Sequence, residues 1–272
     1  MHLAFIDAIP KAELHLHIEG TIEPEHAFRM AARNGVTLPW ADAGALAAAY
    51  DFADLQSFLD VYYAVTAVLQ TAEDFTEIAD AYFERAARQG VRHAEIFFDP
   101  QSHTSRGVDI GVVIGGLWAA VSTSAERHGV TSALILCFLR DRGADEAAQT
   151  LESAVPFLDR VAGVGLDSAE VGYPPAAFEQ VFARAAELGL RRVAHAGEEG
   201  PADYVWQALD RLGAERIDHG VRCLDDPALV ARLVAERVPL TQRLCCLVGR
   251  PTGYVSEVTH HALPLFSSKY IT

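Results

Sequence analysis

Basic residues are scarce in this sequence. Its 272 residues include 22 lysines and arginines against 37 aspartates and glutamates, a formal net charge of −15 at pH 7. This charge repels phosphate backbones and anionic lipid headgroups, so binding to nucleic acid or to a membrane surface would need a local basic patch. No such patch is visible, and the doublet Arg191-Arg192 is typical of a solvated strand edge. We therefore expect neither nucleic acid nor membrane as a partner.

Cysteines and long apolar runs are also few. The four cysteines are Cys137, Cys223, Cys245 and Cys246. They lack the paired spacing of a metal site and two are adjacent, so we interpret them as reduced thiols. The first residues lack a basic stretch followed by a sustained apolar segment, and no later run is long enough to span a bilayer. The sequence therefore predicts a cytoplasmic protein.

No glycine-rich phosphate fingerprint follows the first strand, and no internal repeat or linker is visible. Strand-like and helix-like segments alternate instead. Strands are predicted at Glu13 to His17, His93 to Phe98, Ala133 to Leu139, Gly163 to Asp167, Arg191 to His195, Arg216 to His219 and Val238 to Thr241. Helices are predicted at Glu23 to Arg33, after a cap at Asp54 through Leu69, after a capping box at Thr71 up to Gly90, and at Val108 to His128, Ala144 to Leu158, Pro175 to Leu188, Pro201 to Leu212 and Pro227 to Glu236.

The strands are solid apolar runs, which suit a parallel sheet buried on both faces. Seven parallel strands fit either an open doubly wound sheet or a barrel that lacks one member. Polar residues at the carboxyl ends of the first, fifth and sixth strands favour the barrel, because a barrel brings such ends to one mouth. We therefore predict an α/β fold, a TIM-type (β/α)8 barrel truncated after strand 7, as one domain over residues 1–272.

Those polar residues are His15 and His17, then His195 with Glu198, then the pair Asp218-His219. Residues two apart on a strand point to the same side, so His15 and His17 can chelate one ion. Each cluster alone has a plain alternative: core histidines, a hydrogen-bonded pair, or a helix cap and a stray imidazole. Three such clusters at the ends of three strands are improbable by accident. Together they predict a mononuclear metal site that activates water.

Three stretches carry a resemblance to a known family. Pro10-Lys-Ala-Glu-Leu-His-Leu-His-Ile-Glu-Gly-Thr21, His195-Ala-Gly-Glu198 and Arg216-Ile-Asp-His-Gly220 resemble the first-, fifth- and sixth-strand motifs of the adenosine/adenine deaminase family of metal-dependent amidohydrolases. Phe98-Asp-Pro-Gln-Ser-His-Thr-Ser-Arg-Gly107 and Gly165-Leu-Asp-Ser-Ala-Glu170 are similar to the branch that acts on adenine. The resemblance runs from about Pro10 to Thr241.

The resemblance implies an activity and a set of roles. The activity is zinc-dependent hydrolytic deamination of adenine to hypoxanthine and ammonia, in purine salvage, with adenosine or a modified adenine nucleoside as the alternative substrate. His15, His17 and His195 would bind one zinc ion per chain. Glu198 would shuttle protons to a ring nitrogen of the purine, and His219 would orient the attacking hydroxide. Asp218 would lie behind that site.

Two further residues are implied as substrate-binding, Glu19 and Ser168. At the position of Glu19, adenosine-specific relatives typically carry a shorter acidic residue near the ribose. The longer Glu19 could occupy the space that a sugar needs. A free base would then fit better than a nucleoside.

The end of the sequence departs from the family. After the seventh strand the family continues with Cys-Pro-Leu-Ser-Asn and later with an Asp-Asp pair that serves zinc and purine, whereas here the last aspartate is Asp226. We predict that residues 242–272 are an atypical tail in place of the last strand and helix, through a frameshift or a divergent end. Glu257, His260 and His261 are available donors in this tail, but nothing that flanks them resembles a strand end at the mouth of the barrel. An inactive, truncated deaminase without the carboxylate ligand stays open, as does the oligomeric state.

Overall fold

The protein is described by a computed structural model over residues 9–51 and 55–241. In that part of the chain seven strands form a sheet in which neighbours in sequence are neighbours in space. They are β1 (Lys11–His17), β2 (Val91–Phe98), β3 (Thr131–Leu139), β4 (Gly163–Asp167), β5 (Arg191–Ala196), β6 (Arg216–His219) and β7 (Leu240–Thr241). All seven predicted strands are confirmed, with ends shifted by two residues at most.

The strands pair in parallel because their apolar runs can be buried on both faces. In β3 every residue from Ala133 to Leu139 is buried. The register places His17 of β1 opposite Phe97 of β2, and His195 of β5 opposite Asp218 of β6. Asp218 in turn faces Thr241 of β7. The polar residues singled out in the sequence thus occupy the carboxyl ends of β1, β5 and β6.

Helices connect the strands. In the described residues they are α1 (Pro24–Asn34), α2 (Ala43–Ala48), α3 (Leu55–Thr66), α4 (Ala72–Arg88), α5 (Pro100–Thr104), α6 (Ile110–Val121), α7 (Ser124–His128), α8 (Ala144–Ala154), α9 (Glu179–Glu187), α10 (Ala202–Asp210) and α11 (Pro227–Glu236). The predicted capping box at Thr71 is confirmed. The predicted cap Asp54 lies outside the described residues, as do residues 242–272 with Glu257, His260 and His261. No helix of the described chain is long and apolar enough to cross a membrane.

Three predicted helices were too long, and two short ones were missed. The helix predicted at Val108 to His128 is broken into α6 and α7, because the hydroxyls of Thr123 and Ser124 bond carbonyls of the preceding turn. Pro156 has no amide hydrogen to donate, so α8 ends early and continues as a 3-10 turn. The first turn of the helix predicted at Pro175 is also 3-10. The missed helices, α2 and α5, are six and five residues long.

The chain divides into two compact units at Ala133/Leu134. The first holds β1, β2 and the start of β3, with a core that includes the fully buried Phe75, Phe83 and Phe97. The second holds the rest of β3 through β7, with Phe138 and Phe182 in its core. One domain over the whole chain stays a prediction.

Asp74 is the main polar anchor of the first unit. Its buried carboxylate accepts hydrogen bonds from the amides of Gln70 and Thr71, at 3.0 and 2.8 Å, and pairs with Arg33. Asn34 donates a further bond at 2.8 Å. Burial by itself raises the pKa of Asp74, but the bonds from Gln70, Thr71 and Arg33 outweigh it and bring the pKa below its ordinary value. This carboxylate ties α1 to the start of α4.

We expect Asp74→Asn to lower the free energy of unfolding by about 2 to 4 kcal/mol, because an amide replaces a carboxylate that gathers donors from two helices. Since the folded pKa is depressed, this contribution is present above the unfolded pKa of about 3.9 and is lost as pH falls through the lower folded value. Urea unfolding of both proteins at pH 7 and at decreasing pH measures it. The exposed Asp145→Asn should shift stability by less than about 0.5 kcal/mol, and an equal loss in both variants would contradict the account.

Candidate active site

In the first unit, His15 and His17 lie on one side of β1. Their ring centroids are 5.6 Å apart, and a ring nitrogen of one lies within 4.8 Å of a ring nitrogen of the other. Phe97 of β2 contacts both rings, at 5.3 and 4.9 Å between centroids. Leu14, which comes directly before His15, points to the opposite face and is fully buried. The strand therefore presents two imidazoles that are close enough to share one cation.

Glu19 follows β1 and is buried in a hydrogen-bond network within the same unit. Its Oε1 accepts from the backbone amide of Asp99 at 3.0 Å and from Nε2 of His103 at 3.1 Å. Its Oε2 accepts from the hydroxyl of Tyr62 at 3.2 Å, and that hydroxyl also lies 2.7 Å from the Asp99 carboxylate. The side chain is thus held rigidly just past the two histidines.

The tautomer of His103 follows from its other neighbour. Arg106 can only donate, and its Nη2 lies 3.0 Å from Nδ1 of His103, so Nδ1 accepts and Nε2 carries the hydrogen given to Glu19. Asp99, His103 and Tyr62 were not predicted as parts of the site. Asp99 and His103 lie inside the motif Phe98 to Gly107 that carried the resemblance, but the sequence shows no reason for them to meet Glu19.

In the second unit, His195 lies near the end of β5 and is almost fully buried. Its Nδ1 is 3.1 Å from the carbonyl oxygen of Leu166, which can only accept, so Nδ1 carries the hydrogen. This bond sets the tautomer, with the lone pair of the ring on Nε2. A backbone carbonyl that fixes the ring in this way is typical of histidines that bind metal ions.

Glu198 and His219 meet beside His195. The carboxylate Oε2 of Glu198 lies 3.4 Å from Nε2 of His219, and the His195 and His219 rings are 5.1 Å apart between centroids. His219 is held at φ 72°, a left-handed conformation that few residues other than glycine adopt. Strain of this kind is concentrated at functional sites. The second unit thus brings together three of the predicted site residues.

Asp218 does not cap a helix. It lies inside the sheet, fully buried, and accepts from Nε of Arg216 at 3.0 Å and from the hydroxyl of Thr241. Burial raises the pKa of Asp218, and the charge of Arg216 opposes this only in part. Asp218 therefore links β6 to β7 directly behind His219.

Ser168 is the first residue after β4 and has a positive φ of 72°. It is half-buried. Two residues later the buried carboxylate of Glu170 accepts hydrogen bonds from the backbone amides of residues 197–200. Sequence reasoning placed Glu170 in a family motif but assigned it no contact. Nothing local in the sequence indicates that it meets a loop 27 to 30 residues away.

Histidines and a glutamate at the carboxyl ends of parallel strands are typical of metal-dependent hydrolases. Comparison with known proteins agrees with this class. The family profile described as adenosine deaminase matches residues 10–272, and the chain belongs to that family. The chain is 64% identical to the adenine deaminase of Streptomyces coelicolor, over 94% of this chain and 75% of that protein. It is 62% identical to the adenine deaminase of Cupriavidus necator, over 93% of this chain and 72% of that protein.

Solved structures agree in fold. The crystal structure of adenine deaminase from Arthrobacter aurescens matches with a TM-score of 0.85 and 58% identity, over 86% of this chain and 72% of that chain. An amidohydrolase from Burkholderia ambifaria with bound zinc matches at 0.81 and 30% identity, over 89% of this chain and 67% of that chain. The predicted α/β, TIM-type fold class is confirmed.

Proposed function

We propose that the protein catalyses the hydrolytic deamination of adenine to hypoxanthine and ammonia. The observation that carries this proposal is the 3.4 Å approach of Glu198 to His219 beside the buried His195. A carboxylate and two imidazoles in this arrangement can move protons and direct a water molecule. The chain's 64% identity to an adenine deaminase supports the choice of substrate.

We propose further that His15, His17 and His195 hold one zinc ion. The donor set fits: two imidazoles share one side of β1, and the hydrogen bond from Nδ1 of His195 to Leu166 puts the ring's lone pair on Nε2, the nitrogen that would bind the ion. When bound, zinc lowers the pKa of a water ligand to about 7, which supplies a nucleophile at neutral pH. Among amidohydrolases similar to this chain, one was solved with zinc in place.

The protein's own side chains handle the protons. Glu198 takes a proton from the attacking water and gives it to a ring nitrogen of adenine, which makes the carbon that bears the amino group electrophilic. His219, held at its fixed backbone angle, orients the attacking oxygen through its ring. A carbon–oxygen bond forms, the amino group takes up the proton that the oxygen loses, and the carbon–nitrogen bond breaks. One adenine and one water thus give one hypoxanthine and one ammonia.

The direct test is a chromatographic assay of the deaminated purine with adenine, adenosine and an N6-methylated adenine nucleotide as separate substrates, in which the released amine (ammonia from the first two, methylamine from the third) is also measured. We expect hypoxanthine from adenine at a kcat/KM well above that for the other two. Release of ammonia from adenosine alone would contradict the proposed substrate. No release from any of the three by protein that contains zinc would contradict the activity itself.

We propose that Glu19 biases the site towards a free base. Its carboxylate is fixed by hydrogen bonds from Asp99, His103 and Tyr62. A change of rotamer that made room for a sugar would break these bonds. A cavity of about 20 Å³, room for about one water, adjoins it. Ser168, at the end of β4, is proposed as a second substrate contact.

Glu19→Asp should therefore move the ratio of kcat/KM for adenosine to that for adenine upwards by about tenfold, the scale set by one methylene in a specificity pocket. The exposed Glu25→Asp is the matched control and should leave the ratio unchanged. Both ratios come from initial rates of ammonia release. An unchanged ratio in Glu19→Asp would show that Glu19 does not set the preference for a free base.

We propose that the protein acts on small purines in the cytoplasm. Cys137 and Cys223 are buried and are not in a disulfide, as suits a reducing compartment. Adenine is a neutral base at pH 7, so a net charge of −15 does not oppose its binding as it would oppose a polyphosphate.

A further inference from the structure

The loop that carries Glu198 is organised by a single carboxylate. The amide of Gly197 donates to Oε1 of Glu170 at 2.6 Å. The amides of residues 198, 199 and 200 donate to Oε2 at 2.9, 2.8 and 2.7 Å. Glu170 is buried, with 1% of its surface exposed. Successive amides that converge on one anion form a nest, which fixes the backbone of all four residues.

The glycines of this loop are spaced to admit that carboxylate. A Cβ atom at Gly200 would lie 2.8 Å from the carboxyl carbon of Glu170 and 2.6 Å from the ring of Tyr204. Gly197 has φ +69°, and a Cβ there would lie 2.8 Å from Val205. Both positions therefore require glycine for the loop to close around Glu170. Glu198 lies between them.

Arg140 lies next to the Glu170 carboxylate. Its side chain is fully buried, and its Nη1 lies 3.8 Å from Oε1 of Glu170. Within the described residues the guanidinium makes no hydrogen bond. Burial lowers the pKa of Arg140, and the charge of Glu170 is the strongest opposing influence. The pair is therefore held together by charge. If one member is neutralised, the other becomes a buried charge that this partner no longer balances.

We infer that Glu170, backed by Arg140, is the positioning residue of Glu198. It holds the loop after β5 in one conformation, so that the Glu198 carboxylate stays within reach of His219. Its hydrogen bonds to the loop come from backbone amides, so its effect on the Glu198 side chain passes through the backbone of residues 197–200. The inference deepens the proposed function and rests on it, because it explains how the proposed proton carrier is kept in place.

Two substitutions distinguish the effect of the charge of Glu170 from the effect of its side-chain length. Glu170→Gln keeps the length but replaces an acceptor oxygen with an NH2 group that faces amide donors. Glu170→Asp keeps the charge beside Arg140 and withdraws the carboxylate from the loop. The exposed Glu179→Gln on α9 is the matched control. Gly200→Ala tests the same contact from the loop side, since its Cβ would displace the carboxylate.

Two measurements are made on each protein. Steady-state rates with adenine give kcat and KM, and zinc per chain is determined on the same samples. Hydrogen exchange of peptides that span residues 196–205 is followed in the zinc-free protein, which reports on the loop without substrate or metal. Exchange distinguishes this inference from the proposed function: if the wild-type protein does not deaminate adenine, exchange still decides whether Glu170 orders the loop.

We expect kcat to fall about 100-fold in Glu170→Gln, Glu170→Asp and Gly200→Ala, the cost of a catalytic group displaced by about 1 Å. KM and zinc content should change little, and the amides of residues 197–200 should exchange faster in all three. Glu170→Asp should unfold at nearly the wild-type temperature. Wild-type kcat and wild-type exchange in these variants would overturn the inference. So would a loss of activity that follows the loss of zinc or of folded protein, because Glu170 would then be a general structural support.

Discussion

Replacing Glu198 with glutamine is expected to lower kcat for adenine by about 10³- to 10⁴-fold, at the upper end of what general acid–base catalysis contributes. Glutamine keeps the length of the side chain and its approach to His219, but it can neither take a proton from water nor deliver one to the purine. Binding of adenine and of zinc should be nearly unchanged. Single-turnover and steady-state assays with adenine, together with zinc analysis, measure the three quantities.

The control for Glu198→Gln is the exposed Glu187→Gln on α9, which should retain wild-type kcat. A Glu198→Gln protein with more than about a tenth of the wild-type kcat would contradict the assigned role, because the remaining groups could not replace a proton carrier at that level. Loss of zinc in this variant would also contradict it, since Glu198 is assigned to the substrate and not to the ion.

Replacing His195 with alanine is expected to remove both activity and tightly held zinc. The substitution deletes one of three proposed ligands and leaves the Leu166 carbonyl oxygen without its donor inside the second unit. Changes to groups that only support a metal ligand already cost about 10- to 100-fold in affinity, so loss of a ligand should cost more than 100-fold. Competition with a chromogenic chelator measures the affinity, and ammonia release measures the activity.

His26 on α1 provides the matched control for His195→Ala, because it carries the same side chain on a helix and belongs to neither of the candidate metal clusters found among the described residues. His26→Asn should bind zinc and deaminate adenine as the wild-type protein does. Equal affinity for zinc in the His195→Ala and wild-type proteins would exclude His195 from the ligand set.

Much of this architecture could be predicted because its signals are local. The run Ala133 to Leu139 is apolar throughout and is buried throughout, so its assignment as an interior strand needs no tertiary information. The capping box at Thr71 is a four-residue pattern that the structure reproduces. The histidines of β1 are two apart on a strand, and that spacing alone places their rings on one side.

Other features depend on contacts distant in the sequence. The bonds from Glu170 to residues 197–200 and from Glu19 to His103 join segments 27 to 84 residues apart. Acidic side chains at such positions are equally compatible with solvent exposure until the fold is known. The prediction of one continuous helix in place of α6 and α7 failed for a different reason. The hydrogen bonds from the hydroxyls of Thr123 and Ser124 to backbone carbonyls outweigh a continuous apolar face.

The central claim is that one zinc ion is shared by His15, His17 and His195. Diffraction from crystals of the zinc-loaded protein, recorded on both sides of the zinc absorption edge, tests it most directly. We expect one anomalous peak per chain, about 2.0 to 2.1 Å from a ring nitrogen of each of these three histidines. A peak bound by other residues, or three imidazoles too far apart to reach one ion, would contradict it.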